Sequence, residues 1–288
     1  MGGLPFLAQG PAGVNRPRLL DECPALADMK LIRRLGGGVG WNETWLAARG
    51  DEGLIVRFDT PVVCRLGLDR ASEAGVLRSI QGRGLGPEPV FADPRRGLLV
   101  TRRLPGRACT PAMLRSPQML RALGSLLRRL HETVAPPSAA APLDLARSLA
   151  DYAAVVGGVR ARRAARSGVR SLKAAAGSGR SPALCHNDPV AQNVLRGRSL
   201  RLIDWEFAAP GDPLFDVAVV VGHHGLPEEH ARILLMAARG RVHASEWRAL
   251  AHLVDNYRDL RALWEALTAK YLPWHRRQTD RGNYRIRL

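Results

Sequence analysis

The chain has 288 residues, 46% of them hydrophobic, and 43 Lys and Arg against 26 Asp and Glu give it a formal charge of +17. That length supports one large core or two lobes, and no apolar run reaches the roughly eighteen residues of a membrane-spanning helix. The four cysteines, Cys23, Cys64, Cys109 and Cys185, are scattered without a C-x-x-C pair, which argues against structural zinc or a disulfide framework and points to a reducing cytoplasm.

The charge is almost all arginine, since lysine occurs only at Lys30, Lys173 and Lys270. No zinc-finger spacing, basic zipper or aromatic-rich strand accompanies it, so a nucleic-acid partner is not indicated. The excess reads as a solvated, arginine-biased surface that also suits a polyanionic nucleotide. The first residues lack a basic stretch followed by an apolar core, so no signal peptide is expected.

Residues 1–28, rich in Gly, Pro and Ala, read as a loosely structured arm. Leu31–Leu35 reads as a strand, residues 36–40 as a glycine-rich turn, and residues 41–48 as the returning strand. Gly53–Asp59 is the next strand. Arg70–Ile80 has helical spacing, with Ala74, Leu77 and Ile80 on one side. Pro89–Ala92 and Gly97–Thr101 form a further strand pair. Residues 29–104 therefore form a small lobe, a five-stranded antiparallel sheet with one helix. From residue 105 onward the pattern is helical, with spans at Met113–Val134, Leu143–Val156, 160–180, Pro213–Val221, Glu228–Gly240, Ser245–Leu253 and Asn256–Tyr271. Residues 160–180 are the most basic segment, with Arg160, Arg162, Arg163, Arg166, Arg170, Lys173 and Arg180. A solvated helix face is the simplest reading, and contact with an anionic surface is the other.

Within this part lies Leu184-Cys185-His186-Asn187-Asp188-Pro189-Val190-Ala191-Gln192-Asn193, followed by Leu202-Ile203-Asp204-Trp205-Glu206. Asp188 and Asn193 stand five apart and Asp204 eleven further on, the spacing of a kinase catalytic loop and its metal-binding aspartate. A carboxylate can accept the proton of an attacking hydroxyl, while an amide oxygen and a second carboxylate hold Mg²⁺ against nucleotide phosphates.

These residues resemble the aminoglycoside phosphotransferase and choline kinase superfamily. Trp205-Glu206, where protein kinases carry Phe-Gly, is similar to the I-D-[FW]-E of choline/ethanolamine and thiamine kinases. The resemblance runs from about Leu31 to Gly225. It implies an α+β, protein-kinase-like fold of two lobes, with Mg²⁺ and ATP as cofactors in the cleft and a small-molecule alcohol as acceptor. Asp188 becomes the catalytic base, His186 the residue that shapes its loop, and Asn193 and Asp204 the metal ligands.

The resemblance extends to the glycine-rich turn, where Gly37, Gly38, Asn42 and Trp45 match G-G-x-x-N-x-x-[YW] with one extra residue before Asn42. Arg57 stands where kinases place a phosphate-gripping cation, and no lysine between residues 31 and 172 could replace it. Glu73 is its expected partner. Thr101 to Arg103 lead into the hinge whose backbone would meet adenine. Asp216 is expected to brace the catalytic loop. Glu206, Trp264 and Tyr271 are expected at the acceptor, where aromatic faces suit a quaternary or thiazolium cation. Choline, ethanolamine or thiamine is the leading acceptor class. An aminoglycoside is the alternative, and a catalytically silent nucleotide- or anion-binding protein is the third reading.

Overall fold

The structure, a computed structural model, describes residues 23, 26–35, 42–60, 68–138, 140–176, 181–240 and 242–271. Five strands come first: β1 (Lys30–Leu35), β2 (Asn42–Arg49), β3 (Glu52–Asp59), β4 (Pro89–Asp93) and β5 (Leu98–Arg102), with helix α1 (Arg70–Ser79) between β3 and β4. They form one antiparallel sheet in the order β1-β2-β3-β5-β4. Alternation along each strand decides what the two faces carry. Leu54, Val56 and Phe58 of β3 and Leu98 and Val100 of β5 pack with Leu26 and Ala47 into a small core. The residues between them, Ile55, Arg57, Leu99 and Thr101, line a cleft on the other face.

Helix α1 is started by Asp69, whose carboxylate accepts from the backbone N–H groups of Ala71 and Ser72 at 3.0 Å, supplying partners to donors that the first turn leaves open. Its apolar side, Val76 and Leu77 with Ile80 just beyond, does not join the sheet's core. It joins the large core that also contains Trp205 and the leucines of the next helix. That packing ties the small lobe to the large one.

The large lobe is built from α2 (Pro117–Thr133), α3 (Leu145–Val156), α4 (Gly158–Ala175), α5 (Pro213–His224), α6 (Glu228–Arg239) and α7 (Ala244–Tyr271). Its short strands are β6 (Arg107–Ala108), β7 (Ala183–Cys185), β8 (Val194–Arg196), β9 (Leu200–Leu202) and β10 (Ala209–Gly211). Strands β6, β8 and β9 pair in one ribbon and β7 with β10 in another. Residues 186–193 and 203–208 run between these ribbons, so both ends of each loop are pinned by main-chain pairing.

Two helical expectations change. The span Met113–Val134 is a 3₁₀ turn, Met113–Arg115, followed by α2 from Pro117. Proline has no N–H to continue a helix and forces its predecessor into extended backbone, here Ser116 with ψ 130°. The two last helices are one, α7, through Asp255-Asn256. Asn256 is fully buried and donates to the carbonyl oxygen of Gly168 on α4 at 3.0 Å. Its amide nitrogen is turned to a neighbouring helix and not to its own backbone, so α7 runs through it.

Gly86 shows how tight the join between lobes is. A Cβ there would lie 2.6 Å from Nε1 of the buried Trp205 and 2.8 Å from Cδ1 of Ile80. Gly86→Ala is expected to cost about 1–3 kcal/mol by overpacking. Urea denaturation reads this, and an unshifted midpoint would show that the contact is slack.

Candidate active site

The loop after β7 is held from below by one carboxylate. Asp216, in the first turn of α5 and fully buried, accepts from the backbone N–H of His186 at 3.0 Å and of Asn187 at 2.6 Å. The Nε2 of His131, on α2, lies 2.8 Å from the same carboxylate. His186 then ties the loop to the second one: its Nε2 lies 3.0 Å from the carbonyl oxygen of Ile203, and its Nδ1 accepts from the N–H of Asp188 at 3.3 Å. An acceptor at Nδ1 requires a neutral ring, and burial lowers the His186 pKa to about 4. The Trp205 indole packs edge-on to that ring, centroids 4.8 Å apart, and donates to the carbonyl of Leu202 at 3.1 Å. His186 and Trp205 are therefore the posts on which the two loops hang.

The loops present their polar side chains from constrained backbone. Asn187 and Asp204 both have φ of +64°, a region costly for residues with a Cβ. Asn187 is held there by Asp216 and by its own side chain, which donates to the carbonyl of Phe207 at 2.9 Å. Asp188 accepts from Nδ2 of Asn193 at 2.8 Å. Burial, then the charges of Asp204 and Glu206, raise the Asp188 carboxyl well above the usual carboxylate range. Asp204 is raised to about 7 by loss of water in the cleft and by Glu206, although 42% of its side chain still faces the opening.

A charge cluster faces these carboxylates across the cleft. Arg57 forks onto Glu73, with Nη1 donating to Oε1 at 2.6 Å and Nη2 to Oε2, and its Nη1 lies 3.8 Å from Asp204. Arg70 donates to Asp59 at 2.9 Å, to Glu73 and Glu206 at 3.0 Å each, and to Oδ1 of Asn42 at 2.8 Å. Asn42 in turn donates to Glu206 at 2.9 Å. Burial opposes the Glu73 charge, but Arg57 and Arg70 outweigh it and lower the pKa. Burial also opposes the Arg57 charge, and Glu73, Glu206 and Asp204 outweigh it and raise the pKa.

Two cavities meet at the loop. The larger, about 470 Å³, is the cleft between the lobes, with Asn42, Arg57, Thr101, Arg103, Asn193 and Asp204 in its walls. The smaller, about 120 Å³, lies on the far side and is walled by Tyr152, Phe207, Tyr257, Arg261 and Trp264, with Asp188 at its floor. Trp264 is flanked by Tyr152 and Phe207, ring centroids 5.5 and 5.6 Å away.

A profile of the phosphotransferase enzyme family matches residues 32–263. The chain belongs to the phosphotransferase enzyme family. Among solved structures, a choline/ethanolamine kinase family protein from Mesorhizobium loti is 24% identical with a TM-score of 0.69, covering 89% of this chain and 86% of that one. Choline kinase LicA from Streptococcus pneumoniae aligns at 16% identity with a TM-score of 0.73, over 89% and 91% of the two chains. A structure of LicA in complex with AMP aligns with the same TM-score over 90% and 92%. Protein LicA of Haemophilus influenzae is 44% identical over 52 residues, which is 18% of this chain and 20% of that protein's length.

Within this phosphotransferase fold, the sequence expectations divide. Asn42, Arg57, Glu73, Thr101, Arg103, Asn193 and Asp204 line one cleft, while Asp188 and Trp264 share the smaller cavity. Glu206 stands apart from its expectation: it lines the cleft, tied to Arg70 and Asn42, and is not in the wall of the aromatic cavity. The strong pull of the buried Arg70 guanidinium explains the difference. Gly37, Gly38 and the side chain of Tyr271 lie outside the described residues. The atoms of His131, Cys185 and Asp216 come within 4.8 Å of one another, but Asp216 is already spent on the loop and burial keeps the Cys185 thiol protonated by raising its pKa. That group is a brace.

Sequence reasoning missed Arg70, Tyr152, Phe207 and Tyr257. Arg70 did leave a signal. It opens α1 three residues before Glu73, on the same helical face, at an end where the helix dipole disfavours a cation. A cation there implies partners strong enough to hold it. Arg70→Ala would leave Asp59 and Glu206 without their guanidinium, and breaking such a buried pair costs about 3–5 kcal/mol. Arg70→Lys should rescue little, because an ammonium cannot span these acceptors as a planar fork does. Chemical denaturation of both variants tests this, and wild-type stability in the lysine variant would refute the fork.

Proposed function

We propose that the chain transfers the γ-phosphoryl group of Mg·ATP to the hydroxyl of a compact alkanolammonium acceptor of the choline and ethanolamine kind. One observation supports this above the others: Asp188 and Asn193, joined by hydrogen bonds from the Asn193 amide to the Asp188 carboxylate at 2.8 Å and to its backbone carbonyl at 3.0 Å, face different cavities. A group held in the cleft and a hydroxyl held in the aromatic cavity would meet at that pair.

The cleft suits a nucleotide. Its volume of about 470 Å³ falls in the roughly 300–1,000 Å³ range of ligand pockets. Arg57, positioned by Glu73, offers charge to phosphates; the Arg102 and Arg103 N–H groups already donate to the carbonyls of Glu88 and Gly53, so a base edge would be met at Leu104, the next residue in the cleft wall. The AMP bound by LicA supports the same use of the cleft.

A magnesium ion fits the donor set. Asn193 spends its amide nitrogen on Asp188, leaving the amide oxygen, and Asp204 adds a carboxylate. Such oxygen donors match a hard cation. Asp204 and Asp188 are both raised towards neutrality where carboxylates crowd, and a divalent cation would reverse that. When bound, the ion supplies neutralisation of phosphate charge. Asp188, with its basicity raised by burial, accepts the acceptor's proton as transfer proceeds.

The acceptor class follows from the smaller cavity. At about 120 Å³ it takes a small head group. Trp264, Tyr152 and Phe207 offer ring faces and edges to a desolvated cation. Among the described residues its wall holds one carboxylate, Asp188, and one guanidinium, Arg261, a poor match for an aminoglycoside with several positive charges. The Cys23, Cys109 and Cys185 thiols are free, which suits the reducing, ATP-rich cytoplasm we assign to the protein.

The deciding experiment is ADP release from Mg·ATP against choline, ethanolamine, thiamine and aminoglycosides, with Asp188→Ala as the blank. Turnover on choline or ethanolamine, falling by about 10²–10⁴-fold in the blank, is expected; turnover confined to aminoglycosides would overturn the acceptor assignment. Trp264→Ala should raise the acceptor KM by about tenfold or more while leaving the KM for ATP in place. A shift in both would place Trp264 outside the acceptor site. The Mg²⁺ requirement should also depend on pH. Below about 7 the Asp204 carboxyl holds a proton, so apparent Mg²⁺ affinity is expected to tighten as pH rises through that value. Flat titrations of nucleotide binding between pH 6 and pH 8 would count against Asp204 as a ligand.

A further inference from the structure

The acidic side chains of the exposed helices are mostly spent on arginines of the same helix. Arg128 pairs with Glu132 on α2, Arg147 with Asp151 on α3, Arg232 with Glu228 on α6, and Arg258 and Arg261 with Asp255 and Glu265 on α7. Helix α4 is built differently. Its sequence, GVRARRAARSGVRSLKAA, has six cations and no acid. Arg160, Arg162, Arg163, Arg166, Arg170 and Lys173 are all on its solvent side or partly so. Among the described residues none of them forms an ion pair, and Arg170 lies in the field of Asp259 on α7.

Their placement is one-sided. At 100° per residue, Arg162, Lys173, Arg166, Arg170 and Arg163 fall within an arc of about 100°, along about 17 Å of axis. Arg160 lies outside that arc, while the exposed Val159 lies inside it. The opposite side, Ala161, Gly168 and Ala175, is buried, and Gly168 lets Leu149 and Asn256 approach closely. The helix is thus fixed with its cations outward, like charges three and four apart, a spacing that disfavours an isolated helix. An anionic partner relieves that repulsion.

We propose that the α4 stripe docks on an anionic phospholipid bilayer. Three features favour a bilayer over a nucleic acid. The stripe is the convex outer side of a helix whose other side is packed, which suits a plane. The residues among the cations are Ala, Ser, Gly and Val, with no amide or aromatic side chain to read or stack a base. Arg166 and Arg170 also flank a shallow groove of about 350 Å³ floored by Ala150, Ala165 and Val169. A guanidinium rim over a small apolar floor matches a phosphate with a hydrocarbon chain below it. The net charge of +17 adds long-range attraction to the same surface.

The test is sedimentation of the full chain with vesicles of phosphatidylcholine, with and without phosphatidylglycerol. Binding is expected to the mixed vesicles alone and to fall as salt rises. The triple variant Arg162→Gln, Arg166→Gln, Arg170→Gln should weaken it by about tenfold or more. A control triple, Arg95→Gln, Arg121→Gln, Arg248→Gln, removes the same charge from positions elsewhere on the surface and should weaken it far less. Equal loss in both triples would overturn the stripe as the docking surface, as would wild type that ignores phosphatidylglycerol. Tighter binding to duplex DNA, which then strips the protein from vesicles, would overturn the lipid assignment. Should the stripe triple fail to fold, the single variant Arg166→Gln is compared with Arg121→Gln in the same assay. Weaker vesicle binding by Arg166→Gln alone is then expected, and equal binding by the two would overturn the stripe.

Discussion

A buried guanidinium without partners is among the costliest groups a protein can hold, and Arg70 is a buried guanidinium. Its solution is to take an acceptor from every element around it: Asp59 at the end of β3, Glu73 on its own helix, Asn42 at the start of β2, and Glu206 from the large lobe. Each of those bonds also fixes something else. Glu73 is oriented for Arg57, Asn42 is fixed at the start of β2, and Glu206 anchors the loop that carries Asp204. The width of the cleft and the aim of Arg57 follow from that one residue's need for neutralisation.

The cluster is nonetheless out of balance. Among the described residues Arg57 and Arg70 face Asp59, Glu73, Asp204 and Glu206, two cations against four carboxylates, with Asp188 close behind Asp204 and Glu206. Glu73 keeps its charge because both guanidiniums bind it. The imbalance falls on Asp188 and Asp204, which both shift towards protonation. Those two also sit on the most constrained backbone, beside Asn187 and at Asp204, where φ is +64°. Positions that are both strained and electrostatically dissatisfied persist only when surroundings over-determine them. Here Asp216, His186 and Trp205 supply that determination. A brace of this kind is compatible with a site completed by what it binds.

Much of this was legible in the sequence. The spacing from Asp188 to Asn193 to Asp204 marks the loop because its geometry demands those intervals, and Arg57 was legible by resemblance, with no lysine between residues 31 and 172 to take its place. Asp216 was legible by resemblance. What escaped reading has a common cause: long-range pairing leaves no local pattern. Glu206 was expected at the acceptor because it stands next to the metal-site aspartate, yet its partners Arg70 and Asn42 are 136 and 164 residues away. The aromatic cavity draws Tyr152, Phe207 and Trp264 from three separate segments. The spans Ser245–Leu253 and Asn256–Tyr271 read as two helices, and the tie of the buried Asn256 to the Gly168 carbonyl, 88 residues away, is among the contacts on the single helix that no local pattern shows.

The distribution of charge carries a last argument. A formal +17 suggests a uniformly basic particle, and the structure is not one. In the buried cluster beside the cleft Asp59, Glu73, Asp204 and Glu206 outnumber Arg57 and Arg70, while on α2, α3, α6 and α7 several arginines are paired within a turn. On α4 the cations instead form a continuous line, with no acid on the helix. Solubility alone would be served as well by dispersed charge. A line of like charges on a helix pinned by its opposite face costs stability that scattering would avoid, and that cost is intelligible where another surface, one of opposite sign, completes it.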